Sequence, residues 1–296
     1  MLKAICITPP SVEPIALAVA KQHLRVDYTD DDTLIPLYIS AARDYAETYT
    51  ARAFLPQTWQ LSLNVFPFNM QQAWPPASRL QQRSYLNSQM EILLPVSPLM
   101  AVNSIIYQNP PGTVVTMDAS QYTVNTGQEP GSVTPANGVY WPFPMPYVPD
   151  TVQINYQCGY PLGVQTDYLT MPTSGPLQVT LKNPNFAGLV TVYGQPPTGG
   201  GYQGPYNNQD FPVVNGVCTF DPTSMEIYPD FAGWTMQITY NTYSIPPAIT
   251  QALLLLIAEY YQNRSPQPSS AKSSTMDAVH ALLSKYKVDW QGYDYE

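Results

Sequence analysis

One stretch, residues 245–264, constrains the fold of this chain more than any other. Pro246 and Pro247 stand where a helix can begin, and an unbroken apolar run follows at residues 252–258. The run is far shorter than the roughly 20 residues that a membrane span needs, so we expect no membrane association. The stretch predicts a core helix at residues 247–264 that is apolar on most sides. One face of it carries five predicted core residues: Ile249, Leu253, Leu256, Ile257 and Tyr260.

Three more helices are predicted from the spacing of apolar residues. Spacings of three and four indicate helices at residues 16–26 and 32–51. Asp30, Asp31 and Asp32 precede the second of these, where acidic side chains can cap free backbone N–H groups. A Ser/Pro-rich connector at residues 265–274 leads to a short helix at residues 276–287. The tail at residues 288–296 is aromatic and acidic, which favours docking on a neighbouring protein.

Two sets of β-strands lie between these helices, because apolar and polar residues alternate with a period of two. The first set occupies residues 56–160, with strands predicted after Pro56 and at residues 90–94, 102–108, 113–117, 121–125, 138–141 and 152–157. The second has strands predicted at residues 177–181, 189–193, 216–220, 225–228 and 234–240. We therefore predict an α+β protein. A small helical bundle core with a β domain forms from residues 1–161 and 244–296, and residues 162–243 insert a second all-β, sandwich-like domain.

The charge balance limits the partners of this chain. Its 12 Lys and Arg against 21 Asp and Glu give a net charge of −9. Since affinity for phosphate backbones comes mainly from basic side chains, DNA could pass this surface without being held. The three cysteines are far apart and indicate neither a metal site nor a disulfide framework. The N-terminal segment meets Pro9 and Pro10 before a signal-peptide core can form, so we expect synthesis in the cytoplasm.

Residues able to carry catalysis are few. His23 and His280 are the only histidines, and neither has a ligand partner at metal spacing. The glycines at 199–201 lack the Lys-Ser/Thr pair of a phosphate-binding loop. We predict no cofactor, no metal and no enzymatic activity. One alternative stays open: a carbohydrate-binding or carbohydrate-active β protein, because the second β set combines aromatic residues with four carboxylates. These are Asp210, Asp221, Glu226 and Asp230.

The two ends of the chain carry a recognisable series of residues. Near the start it runs from Glu13-Pro14 through Lys21-Gln22-His23-Leu24 and Asp31-Asp32-Thr33-Leu34 to Gln57-Thr58-Trp59. Near the end it is a proline-led, leucine-rich helix that closes on Tyr261 and Arg264. Together these resemble the tailed-phage head-to-tail connector (adaptor) family. Relatives usually pass almost directly from the turn matched by Gly159-Tyr160 to the last long helix, whereas about 80 residues intervene here.

The resemblance implies a structural virion protein that forms a homo-oligomeric ring, typically of twelve copies, beneath the portal protein. Such a ring extends the DNA channel used in genome ejection and receives a tail nozzle or head-closure protein. On this basis we expect the insert to contact tail components or fibres through its aromatic loop, at Tyr202, Tyr206 and Phe211. The tail is expected to bind the portal through Trp290, Tyr293, Tyr295 and Glu296.

Overall fold

The structure is a computed structural model of the full chain. It describes residues 3–67, 90–144, 148–182, 186–214, 216–222, 228–264 and 274–288. The chain divides into two compact units. One comprises the described residues within Met1–Val12, Glu47–Tyr160 and Ser284–Glu296, and the other those within Glu13–Ala46 and Pro161–Leu283.

All four predicted helices are present. They are α1 (Leu17–Leu24), α2 (Ile35–Thr50), α3 (Pro247–Gln262) and α4 (Ser274–Ser284). Pro247 occupies the first turn of α3, where its missing N–H group costs no helical hydrogen bond. Arg25 ends α1 in a left-handed conformation, and its N–H group bonds to carbonyl groups of the last turn.

The expected acidic cap of α2 is wrong in detail. The carbonyl of Asp31, not its carboxylate, accepts the N–H groups of Leu34 and Ile35 at 2.9 Å each. The Asp31 carboxylate instead binds Tyr261, and that of Asp32 binds Lys21. Both carboxylates are therefore used to hold the α1–α2 connection rather than to start α2.

The first unit is built on an antiparallel sheet of five strands, ordered β1-β2-β8-β4-β5. Its strands are β1 (Lys3–Thr8), β2 (Gln57–Leu63), β4 (Leu99–Gln108), β5 (Val114–Thr116) and β8 (Val152–Cys158). A smaller sheet, ordered β3-β7-β6, contains β3 (Ile92–Leu93), β6 (Tyr122–Asn125) and β7 (Ser132–Pro135). Their common core is mainly aliphatic and includes Leu61, Ile105 and Ile154, each with no exposed surface.

The second unit contains two further antiparallel sheets of three strands. The larger, ordered β11-β14-β9, contains β9 (Leu162–Thr170), β11 (Phe186–Gln195) and β14 (Thr235–Tyr243). The smaller, ordered β10-β13-β12, contains β10 (Gln178–Thr180), β12 (Val213–Val214) and β13 (Val217–Thr219). The core of these sheets is rich in aromatic residues. Phe231 lies at its centre, 4.7 Å from the ring centroid of Phe220 and 5.1 Å from that of Tyr206.

The α+β class predicted from the sequence is confirmed, and most of the strands were predicted within a few residues. Four strands were missed: β1, β7, β9 and β12. The strand expected at residues 138–141 is wrong, because this segment is a turn followed by irregular backbone. The strand expected at residues 225–228 lies largely outside the described residues. The layout of a core with an insert at residues 162–243 stays a prediction.

Candidate interaction surfaces

Helix α3 buries the face that its sequence predicts. Ile249, Leu253, Leu256 and Ile257 have at most 1% of their surface exposed, and Tyr260 is half-buried. Ala252 is also fully buried, so the buried face is wider than the predicted one. Leu254 and Leu255 are only half-buried. They are the part of the leucine run that the chain's own core does not fully cover.

The C-terminal end of α3 is tied to the α1–α2 connection by a small polar network. Tyr261 Oη donates to Asp31 Oδ2 at 2.6 Å, and Arg264 donates to the same oxygen at 3.2 Å. The hydrogen bond from Tyr261, helped by the charge of Arg264, lowers the pKa of Asp31. Tyr38 of α2 packs edge-on against the Tyr261 ring at 6.3 Å. These contacts fix α3 against the N-terminal helices.

Helix α4 adds a further contact with α2. The ring of His280 stacks on that of Tyr45 at 6.4 Å, and His280 Nε2 lies 2.8 Å from Tyr45 Oη. His280 therefore contributes to the packing of α4 on α2. The contacts shown for it are with a tyrosine and do not form part of a metal site.

The chain leaves α4 through an anchored segment of the first unit. The Val288 N–H group donates to the Thr50 carbonyl at 3.0 Å, and Val288 is buried. Arg52, itself buried, donates to the carbonyl of Tyr286 and forms a bidentate ion pair with Glu129. Burial alone would lower the pKa of Arg52, but interactions with Glu129 and Tyr160 outweigh it and raise that pKa. The C-terminal tail thus starts from a fixed point.

The four residues expected to bind the portal, Trp290, Tyr293, Tyr295 and Glu296, lie outside the described part of the chain. Their role stays a prediction.

The structure separates the three residues expected to contact a tail component. Phe211 is fully buried, and Tyr206 stacks on it at 6.2 Å within the aromatic core of the second unit. Tyr202 is 40% exposed and lies on the surface. Phe211 and Tyr206 therefore support the loop from inside, and Tyr202 alone is well placed for an external contact.

A close backbone approach holds the loop that carries Tyr202. Gly194 and Gln203 exchange two backbone hydrogen bonds at 2.9 and 2.7 Å, so the loop runs back along β11. Gly204 has φ +127, and a Cβ there would lie 3.0 Å from the Val192 carbonyl oxygen and 3.1 Å from the Tyr193 ring. Only glycine fits this position without a shift of its neighbours.

The outer face of the sheet β11-β14-β9 is formed by alternate residues of each strand. Strand pairing places Tyr168, Gln237 and Tyr193 in one row across the three strands. The next row contains Thr166, Thr239 and Thr191. Because opposite residues in antiparallel strands share a face, these side chains point to the same side of the sheet.

The opposite, inner face of this sheet contains one buried carboxylate. Asp167 is 2% exposed and accepts hydrogen bonds from the Lys182 N–H group at 2.7 Å, Tyr240 Oη at 2.8 Å and Gln165 Nε2 at 3.0 Å. Burial raises the pKa of Asp167, but these hydrogen bonds outweigh burial and lower it overall. Asp167 thus joins β9 to β14 and to the segment after β10.

The candidate carboxylates for carbohydrate chemistry have different surroundings, although the Asp221 N–H group donates to the Asp210 carbonyl at 2.9 Å. Asp210 is buried and accepts a hydrogen bond from Tyr228, whereas Asp221 and Asp230 are exposed. Asp230 caps its own turn through the Ala232 N–H group at 3.0 Å. Glu226 lies outside the described residues. Within the described ranges, no group of three or more His, Cys, Asp or Glu is placed to hold a metal ion.

The N-terminal third of the chain matches a known protein family. Residues 14–108 match the family of phage gp6-like head-tail connector proteins. The resemblance predicted from the sequence is confirmed over this stretch, which begins just before α1 and ends with β4. No curated protein sequence matches the chain significantly.

Two solved structures share the fold over nearly the whole chain. One is described as "Virion of native gene transfer agent (GTA) particle", with a TM-score of 0.52, 14% identity, and coverage of 97% of this chain and 95% of the other. The second is described as "Neck of empty GTA particle computed with C6 symmetry", with a TM-score of 0.50, 14% identity, and coverage of 98% and 96%. At this identity the likeness establishes a shared fold. The findings agree with the expectation of a virion component.

Among the helices in the described part of the chain, none has both the length and the hydropathy needed to cross a bilayer.

Proposed function

We propose that this protein is a structural head-to-tail connector that forms a ring under the portal of a tailed particle. The observation that carries the proposal is the match of residues 14–108 to the head-tail connector family. The fold likeness over nearly the whole chain to proteins from the virion and neck of a gene transfer agent supports it. The role requires no catalytic residue.

Helix α3 provides a surface for contact between subunits. Leu254 and Leu255 are half-buried next to the fully buried Leu253 and Leu256. Burying the rest of a leucine side chain contributes roughly 1 kcal/mol, about half the value for full burial. Two such side chains repeated around a closed ring make α3 a lateral contact in every subunit. We take twelve copies as the expected number from the family resemblance.

The net charge of −9 suits a ring through which DNA moves. Tight binding of DNA needs many Lys and Arg contacts with phosphates, and the chain has few basic residues to provide them. DNA would therefore pass through the channel without specific binding.

The C-terminal tail is the proposed portal contact. Its starting point is anchored through Val288 and through Arg52, which holds the Tyr286 carbonyl. An anchored start reduces the conformational entropy that the tail loses on binding, so a short aromatic segment can attach firmly. Contact of the insert with a tail nozzle, head-closure protein or fibres, with Tyr202 as the exposed residue, remains a prediction.

Ring formation is tested with the purified full-length protein by sedimentation velocity and negative-stain electron microscopy. We expect closed rings, and we expect Leu255→Glu to convert them to folded monomers because it places a charge in an apolar contact. Val114→Glu is the matched control, since Val114 is 68% exposed on β5 and the same charge there should leave the rings intact. Wild-type protein that stays monomeric in both measurements would contradict the proposal.

Portal attachment is tested by deleting residues 289–296, which keeps the Val288 anchor. The truncated protein should form rings of wild-type size but should no longer bind purified portal protein in a pull-down. Replacing Trp290, Tyr293 and Tyr295 together by alanine should have the same effect. Portal binding at wild-type strength by both variants would refute the role of the tail.

A further inference from the structure

The outer face of the sheet β11-β14-β9 is not part of the proposed ring contact, although Tyr202, the proposed tail contact, reaches it. Its central rows carry tyrosine, glutamine and threonine side chains from all three strands. Tyr168 is 54% exposed although it is flanked by a paired strand. A sheet face that packed only against solvent would not need large aromatic rings, and exposed tyrosine side chains favour contact surfaces.

The face has no charge. Of all the residues in β9, β11 and β14, Asp167 is the only charged one, and it is buried on the inner side. This neutrality stands out in a chain with 21 acidic residues. Without a cation, the face has nothing to pair with the phosphates of nucleic acids or the carboxylates of acidic polymers. The face therefore favours an uncharged ligand.

The side chains that form the face are held in place. The Oγ1 atoms of Thr166 and Thr239 lie 3.0 Å apart, within hydrogen-bond distance. Tyr202 extends from its loop to Tyr168, with ring centroids 6.1 Å apart. The close approach of Gly204 to the Tyr193 ring restrains the third tyrosine. Because the rings are fixed before a ligand arrives, little side-chain entropy is lost on binding.

We propose that this face binds a neutral polysaccharide across Tyr168, Gln237 and Tyr193, with Tyr202 at its border. Tyrosine rings offer flat apolar surfaces to the C–H faces of sugar rings, while the Gln237 amide and the threonine hydroxyls donate to and accept from sugar hydroxyls. Tyr168 and Tyr193 lie two strand spacings apart, roughly 10 Å, which suits several sugar units of one chain.

The central rows combine amides and hydroxyls with aromatic rings, which suits a ligand with many hydroxyl groups. Exposed aliphatic side chains adjoin these rows, with Val164 next to Thr166 along β9 and Val190 directly before Thr191 on β11. A protein partner that buries them is an outcome that the test below distinguishes. The proposal concerns glycan binding only, and no bond is made or broken.

The test is a microarray of neutral oligosaccharides built from glucose, galactose, mannose and N-acetylglucosamine, probed with the full-length protein, with heparin as the acidic comparison. We expect binding to at least one neutral glycan and none to heparin. Isothermal titration with that glycan should show a loss of at least tenfold in affinity for Tyr168→Ala and for Gln237→Ala. Tyr140→Ala, which removes a tyrosine that is 71% exposed outside this face, is the matched control and should bind like the wild type.

Because Tyr168 is exposed and Gln237 is half-buried on the outer face, their variants should unfold close to the wild-type temperature, which separates a lost site from a lost fold. No binding to any neutral glycan overturns the proposal. So does binding that both substitutions leave unchanged, or a sheet face that instead mediates self-association or capture of a tail protein. Ring formation is tested separately through Leu255→Glu, so a loss of glycan binding in Tyr168→Ala or Gln237→Ala leaves the connector proposal standing.

Discussion

Helix α3 and the sheet β11-β14-β9 both have one face buried in the second unit and another face left over, but the leftover faces differ in chemistry. On α3 it is aliphatic, at Leu254 and Leu255, whereas on the sheet it is polar and uncharged around Tyr168 and Gln237. The aliphatic outer face of α3 is suited to a permanent protein partner that excludes water, such as another copy of the chain. The polar, uncharged outer face of the sheet is suited to a ligand that is itself hydrated.

This contrast implies that substitutions on the two buried faces should lower the free energy of unfolding. Substitutions on the two outer faces should instead weaken binding to partners. Four substitutions test it. They are ordered by the expected loss of unfolding free energy.

Phe231→Ala should cause the largest loss, because Phe231 has no exposed surface and contacts several aromatic rings. A buried Phe→Ala change costs about 3 to 5 kcal/mol. Urea denaturation followed by tryptophan fluorescence should show the loss. Phe143→Ala is the control, since that side chain is 60% exposed, and an equal effect of both would contradict the packing described here.

Leu253→Ala should cost about 3 kcal/mol, since it leaves a cavity on the buried face of α3. The monomer should lose helix content at lower temperature in circular dichroism. Leu37→Ala removes the same atoms from a leucine that is 64% exposed on α2, and its unfolding temperature should barely change. A Leu253→Ala protein as stable as the wild type would mean that this face is not the core face.

Asp167→Asn should cost about 2 kcal/mol at neutral pH, because charged acceptors form stronger hydrogen bonds than neutral ones. The folded pKa of Asp167 is lowered, so its contribution is complete above the unfolded carboxyl pKa near 3.9 and is lost as pH falls through the folded pKa. The stability difference from wild type should therefore shrink below about pH 4. Urea unfolding at several pH values measures it, with the exposed Asp221→Asn as control. A difference that stays constant down to low pH would be inconsistent with an ionised Asp167.

Leu255→Glu should have the smallest effect on the monomer, about 1 kcal/mol, because the side chain is only half-buried. Its main effect should be on ring assembly, as described above. Thermal unfolding of the monomeric variant separates the two effects. A variant that unfolds like Leu253→Ala would place Leu255 on the inner face of α3 and would remove the contrast.

The sequence predicted the helices well because their signals are local. The prolines before α3 and the spacing of apolar residues in α2 need no tertiary information. The strand β9 was missed because its alternating face is exposed rather than buried, so Leu162, Val164 and Tyr168 do not mark a core. Residues 138–141 are Gly-Val-Tyr-Trp, three of which are residue types that favour strands, yet the segment is a turn followed by irregular backbone.

The candidate surfaces were predicted in part. The core face of α3 followed directly from the 3.6-residue period, and the two half-buried leucines could be identified only when the neighbouring helices were in place. The aromatic loop was recognised from its composition, but its burial was not, because Phe211 is covered by residues distant in sequence such as Phe231. The row formed by Tyr168, Gln237 and Tyr193 depends on strand register, which composition does not determine.

Cryo-electron microscopy of intact particles that contain this protein tests the central claim most directly. The connector role predicts a ring of density immediately below the portal, into which the helices α1–α4 of repeated copies fit, and it predicts that particles lacking the protein lose this ring. Particles with no density for this chain between the portal and the tail would contradict the role.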